Sequence, residues 1–244
     1  MYAARMRLIL FLSALLVVSG TARAQSVPAA AQGIEIACPN DGSSVQEKAL
    51  LKTSPHGATR IGKHTLQVKL AHGVKTFIEK KPYNIGEIGG INWEYCGYNA
   101  VVKMHLIYKN DGDVEKTGGV LLDDATGRLL PAGYTVALSA DELYYAARYQ
   151  PGGQDGDSLV VYDRKTGVVL WQSYGGAISG KDGNIVAQFD NYRWSGDILL
   201  ADATMLADET AAAQPGSPKP KTRLVTLSRQ ANGKWAWSPD LAKK

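Results

Sequence analysis

One eight-residue pattern occurs twice in this chain at an offset of forty residues, and it constrains the fold more than any other feature. Asp123-Asp124-Ala125-Thr126-Gly127-Arg128-Leu129-Leu130 aligns with Asp163-Arg164-Lys165-Thr166-Gly167-Val168-Val169-Leu170, with Asp, Thr, Gly and Leu in matching places. Thr-Gly suits a tight hairpin, and the Asp side chain accepts hydrogen bonds from turn amides. About forty residues is the length of one four-stranded propeller blade. Similar Gly turns at Asn110-Asp111-Gly112, Lys181-Asp182-Gly183 and Ala231-Asn232-Gly233 separate β-favouring runs. Thr65-Leu66-Gln67-Val68-Lys69-Leu70 alternates strictly, as a strand with one buried face does.

From the end of the first copy through the second, the sequence predicts four strands in about forty residues, Tyr134–Leu138, Leu143–Tyr149, Ser158–Asp163 and Val168–Ser173. The following unit holds Ala177–Ser179, Asn184–Phe189, Asp197–Ala201 and a hairpin over Arg223–Trp237, five strands in all. Ile88–Leu130 is the expected preceding blade, and Val45–Glu79 a degenerate one before it. Only Asp202–Ala213 has helix-forming composition, and it runs into the Pro/Gly/Ser/Lys stretch Gln214–Lys221. The expected fold is all-β: a small or incomplete β-propeller-like array of four-stranded antiparallel blades, with a β-sandwich as the alternative. The domain division is a leader over 1–24, a mobile tail over 25–33 and a single β domain over 34–244, with a Pro-rich insertion at 207–221.

Val161-Tyr162-Asp163-Arg164-Lys165-Thr166-Gly167-Val168-Val169-Leu170-Trp171 resembles the A-x-D-x-x-T-G-x-x-x-W repeat of quinoprotein-type (PQQ-like) β-propellers. Ser139-Ala140-Asp141-Glu142 is similar to the Ser-Pro-Asp-Gly turn of WD-type blades. The match is full for one blade and partial for a second, where Pro131 takes the place of the Trp. The resemblance implies that Trp171 docks between neighbouring blades. The family includes PQQ dehydrogenases and an outer-membrane assembly scaffold. Its enzymes use about eight blades, whereas this length allows at most about five, so neither a closed large ring nor PQQ is expected.

Composition sets the compartment. Arg5 and Arg7 precede the apolar run Leu8–Val18, and Ala22-Arg23-Ala24 forms a small-x-small cleavage site before Gln25. Eleven helical residues rise only about 16 Å against roughly 30 Å of hydrocarbon, so a cleaved leader is expected and no transmembrane segment after it. Gln25 stands where a lipoprotein needs Cys. The leader carries three arginines and no acid, so removing it lowers the net charge from +4 to about +1. That balance excludes a mainly electrostatic nucleic-acid binder. The expected location is periplasmic or secreted. Two cysteines, Cys38 and Cys96, suit a bridge in such a compartment. By chain entropy it is worth up to roughly 4 kcal/mol. Two buried free thiols are the other reading.

Catalytic patterns are sparse. The chain has no Gly-x-Ser-x-Gly elbow, Ser-x-x-Lys pair, His-Glu-x-x-His helix or P-loop. His56, His64 and His72 recur every eight residues, but eight strand residues span about 26 Å, so no metal site is expected from them. His105 lies in a strand-like run and reads as structural. Asp155 and Asp157 offer calcium two carboxylates where six to eight oxygens are needed. The acid pairs Asp123/Asp124 and Asp155/Asp157 read as turn residues before they read as a glycosidase dyad. No catalytic residue, metal or cofactor is therefore assigned.

Aromatics are the enriched surface candidates. Trp93 and Tyr95 cluster by Cys96, and Tyr192-Arg193-Trp194 reads as a loop with polar neighbours Asn191 and Ser195. Tyr, Trp and Arg anchor protein interfaces. The expected function is a periplasmic, non-enzymatic protein-binding domain. It would act as an inhibitor or immunity protein against a periplasm-acting toxin or hydrolase, with another periplasmic protein as partner. The alternatives are an envelope assembly scaffold, by fold analogy, or a glycan or cell-wall hydrolase using Asp and Glu.

Overall fold

The computed structural model describes residues 34–38, 44–54, 57–83, 89–110, 118–149, 158–173, 177–179, 185–205 and 221–239. The leader, the tail, the Asp155/Asp157 loop and all but the last residue of the 207–221 insertion lie outside them.

The described chain is β apart from one α-helix, and its strands form four antiparallel sheets without a closed barrel. In chain order, β1 (Ile34–Ala37) is followed by α1 (Ser44–Thr53). The first sheet joins β2 (Ala58–Arg60), β3 (Thr65–Leu70) and β4 (Gly73–Ile78). The second joins β5 (Asn92–Asn99), β6 (Met104–Asn110), β7 (Gly118–Asp123) and β8 (Leu129–Ala132). The third contains β9 (Thr135–Leu138), β10 (Tyr144–Tyr149), β11 (Ser158–Asp163) and β12 (Val169–Ser173), with β1 added beside β9. The fourth runs through β13 (Ala177–Ser179), β14 (Ile185–Ser195), β15 (Ile198–Met205), β16 (Thr222–Arg229) and β17 (Trp235–Ser238).

The sheets stack face to face in sequence order. Leu66, Val68 and Phe77 of the first meet Tyr95, Ile107 and Leu122 of the second. On the second sheet's other face, Met104, Leu106 and Leu121 meet Val136, Leu138, Tyr145 and Val160 of the third. The third sheet then turns Ala137, Ala146, Leu159 and Val161 toward Trp194, Leu199, Leu227 and Trp235 of the fourth. Inner strands are thus buried on both faces, as Met104–Ile107 and Leu159–Tyr162 show. The strict alternation of β3 belongs to an end sheet with one covered face.

The two copies of the turn close β7 onto β8 and β11 onto β12 with matching bonds. The Thr126 amide and hydroxyl both donate to Asp123 Oδ1, at 2.8 and 2.9 Å. The Thr166 amide and hydroxyl donate to Asp163 Oδ1 at 2.7 and 2.6 Å. Gly127 and Gly167 take φ of 69° and 73° and donate to the carbonyls of Asp123 and Asp163 at 2.8 Å each. A Cβ at Gly167 would also press on Leu130 at 3.1 Å and Pro131 at 3.3 Å, so this turn seats against β8 of the preceding sheet. Trp171 packs edge-on against Trp237 at 5.7 Å, joining the third and fourth sheets.

Three expectations are corrected. The expected degenerate blade over Val45–Glu79 is a helix followed by three strands. Glu47 anchors that helix by accepting Arg60 Nη2 at 2.8 Å and the Tyr95 amide at 2.9 Å. Asp202–Met205, expected to begin a helix, ends β15, because its backbone pairs with β16 and Ala201 and Ala203 fill core space. The third sheet has a fifth strand, since β1 returns across the chain to pair Ile34 with Leu138 and Ala37 with Thr135.

Candidate functional site

The third sheet's face toward the fourth carries small residues where β1 and β9 meet. Register places Ala37 opposite Thr135 and Thr135 opposite Arg148, with Leu159 next in the row. The adjacent row runs Glu35, Ala137 and Ala146. Such short side chains leave a groove, and the half-buried Arg148 lines it. Two neighbouring hollows share the lining residues Glu35, Thr135 and Arg148. One, of about 130 Å³, reaches Asn191 and Tyr192. The other, of about 600 Å³, reaches Gln46, Leu50, Tyr134, Cys38 and Cys96.

Arg148 packs its guanidinium against two aromatic rings, 5.6 Å from the centre of Tyr134 and 5.5 Å from that of Tyr192. Local structure sets both rings. The Tyr134 amide donates to the Arg148 carbonyl at 2.9 Å, and the Tyr134 carbonyl accepts the Cys38 amide at 2.7 Å. This approach needs Gly133, because a Cβ there would fall inside the Arg148 carbonyl oxygen. Tyr192 is aimed by a β-bulge, as the register of β14 on β15 shifts between Asp190 and Arg193. Asn191 in the bulge has φ of 52° and donates its side-chain amide to Asp202 Oδ2 at 3.0 Å. Arg193 donates to the Asn191 carbonyl at 2.9 Å and lies 3.6 Å from Asp202 Oδ1.

The structure therefore sorts the expected partner-binding residues. Tyr192 lines the groove. Arg193 fastens the bulge behind it. Trp194 lies within β14 and not in a loop; it is 1% exposed, and its indole N–H donates to the Ala137 carbonyl at 2.8 Å. Its polar neighbours in sequence face outward because the strand alternates. Trp93 is half-buried, donates to the Ile78 carbonyl at 3.2 Å and packs on Phe77 at 5.0 Å, so it ties the first sheet to the second. Tyr95 is 1% exposed, and burial holds its phenol above the ordinary tyrosine value. Its hydroxyl meets Ser54 Oγ at 3.1 Å and His105 Nδ1 at 3.0 Å. A side chain so enclosed presents nothing to a partner. Cys38 and Cys96 form the disulfide.

Other candidates are absorbed by structure. Asp123 and Asp163 hold their turns, and Asp124 accepts the Ala71 amide at 3.2 Å. His64 lies 2.9 Å from Glu79 and stacks on Tyr83. Arg164, at the mouth of a further hollow of about 370 Å³, pairs with Glu142. Among the described residues no group of three or more His, Cys, Asp or Glu is placed to hold a metal ion. No described helix is long and apolar enough to cross a membrane. Arg148, Tyr134 and Glu35 were missed by sequence reasoning. The one signal was an arginine inside a run of strand residues next to alanines.

Compared with protein-family models, with curated proteins and with solved structures, the chain matches none.

Proposed function

We propose that this protein is an exported, non-enzymatic binding protein that grips another protein through the Arg148 groove. The observation that carries the reading is the packing of Arg148 against Tyr134 and Tyr192 at the junction of two accessible hollows. Arg and Tyr are the residues that dominate binding energy when set in a partly desolvated pocket. Stacking spares the guanidinium much of its ordering cost, because the rings hold it in one orientation before a partner arrives. Among the described lining residues Glu35 is the only carboxylate of the two hollows, whereas glycoside hydrolysis needs a pair. The disulfide suits an oxidising compartment, in keeping with the leader-like N-terminal sequence. The partner is a periplasm-acting toxin or hydrolase, which this protein neutralises by occupying its surface.

A photo-crosslinking residue placed at Thr135, on the groove floor, tests the reading against one at Val74, an exposed site on the first sheet. The expected result is one protein adduct from Thr135 and none from Val74. The purified adduct partner then binds the Arg148→Ala/Tyr192→Ala variant about tenfold or more weakly than the parent. If the partner is a hydrolase, a stoichiometric amount of the parent suppresses its activity. Equal adducts at both sites, or unchanged affinity of the double variant, overturns the proposal.

A further inference from the structure

Every described strand pairing but one joins neighbours in the sequence. The exception is β1, which pairs with β9 alone and lies at the edge of its sheet. Only four of its residues join the ladder, and about a hundred residues separate them from their partners, so closing this contact costs more chain entropy than any hairpin. Ile36 is buried in the core between the second and third sheets, while Glu35 and Ala37 point the other way and form a wall of the groove. The residue directly after β1 is Cys38, bonded to Cys96 in β5. That bond ties β1 to the second sheet as well as the third, and both cysteines line the larger hollow.

We propose that the Cys38–Cys96 disulfide is a latch that keeps β1 docked, so that the groove has its wall only in the oxidised chain. The inference rests on the binding role of the groove for its purpose, but not for its test. In forming the latch the two thiols give up two protons and two electrons to a disulfide-form oxidant, which leaves as a dithiol. A dithiol reductant reverses the step and restores the two thiols. Before oxidation the chain is folded through its other sheets but lacks the wall that Glu35 and Ala37 supply. A protein of this kind binds its partner only after reaching an oxidising compartment.

Amide hydrogen exchange on the chain without any partner decides the matter. Three samples are compared: the oxidised protein, the same protein in excess dithiothreitol, and the Cys38→Ala/Cys96→Ala variant without reductant. The expected result is that amides of 34–38 and the β1-facing amides of β9 exchange about tenfold or more faster in the second and third samples. Amides of β11 and β15 keep their oxidised rates. Unchanged protection of β1 overturns the latch, and so does loss of protection throughout, which would make the disulfide a prop of the whole fold. A groove that binds nothing leaves this exchange pattern unaltered, and an unaltered β1 leaves the binding proposal standing.

Discussion

Replacing Trp194 by alanine separates a buried brace from a surface anchor. The indole is 1% exposed, lies among Leu199, Leu227 and Trp235 across from Ala137 and Val161, and meets Trp235 edge-on at 6.2 Å. A buried Trp removes about 200 Å² from water, which at about 25 cal/mol per Å² is worth about 5 kcal/mol. Alanine keeps a small part of that, and aromatic-to-alanine changes in cores cost about 3–5 kcal/mol. The lost bond to the Ala137 carbonyl adds about 1 kcal/mol. Trp194→Ala is therefore expected to cost about 4 kcal/mol, and Trp194→Phe, which loses the N–H but keeps most of the apolar contact, about 1–2 kcal/mol. For a chain this long the first corresponds to a fall in Tm of about 8–16 °C. Urea denaturation followed by tryptophan fluorescence and by circular dichroism measures both, with the slope in urea checked for constancy. A loss under about 1 kcal/mol for Trp194→Ala would refute the buried placement, because an exposed loop tryptophan costs about 0.5 kcal/mol or less.

Gly133→Ala is expected to destabilise by about 3 kcal/mol, since the new Cβ meets backbone and not a yielding side chain; chemical denaturation gives the value. Hydrogen bonds from the Thr166 hydroxyl and amide lower the Asp163 carboxyl below its usual value, so the stability it confers is present above the unfolded-state pKa and is lost as pH falls through the folded one. The acid limb of a stability profile should flatten in Asp163→Asn, which keeps an acceptor but no titration. Burial raises the phenols of Tyr145 and Tyr149 above the ordinary value, and the Tyr149 and Tyr162 hydroxyls hydrogen-bond to each other at 2.6 Å. Their neutral forms favour the fold below about pH 10, and that contribution is lost at higher pH. Spectrophotometric titration should show these two tyrosines ionising only as the protein unfolds.

Strand positions were legible where local chemistry fixed them. The four strands from Tyr134 to Ser173 fall within a residue of the observed β9–β12, because the Asp side chain and left-handed Gly of each turn act within five residues. In the last sheet, Gly196 and Gly233 take positive φ at the turns that close β14 onto β15 and β16 onto β17. What failed to show was whatever depends on distant chain. Helix α1 is only ten residues long and is held by Glu47 reaching Arg60 and Tyr95. Strand β1 finds its partner about a hundred residues on. The candidate site suffered most. Arg148 in β10 and Tyr192 in β14 belong to two sheets, Tyr134 lies just ahead of β9, and the three meet only once the sheets stack. Tyr192 was noticed among polar neighbours, but the bulge that aims it leaves no periodic trace. Trp194 drew attention for the same neighbours and is core.

The stacking order fixes what a growing chain can complete on its own. Each layer after the first is laid upon one already made, so most contacts become available as soon as their residues emerge. Strand β1 is the exception: it must wait until Thr135–Leu138 has been synthesised, although Cys96 is available to Cys38 well before. Any fragment ending ahead of Thr135 leaves Ile36, Leu106 and Leu121 bare, and so turns two unfinished apolar faces toward other molecules. Truncated chains of this protein are thus the species that self-associate, whereas a chain that also completes the fourth sheet has covered what would make it stick.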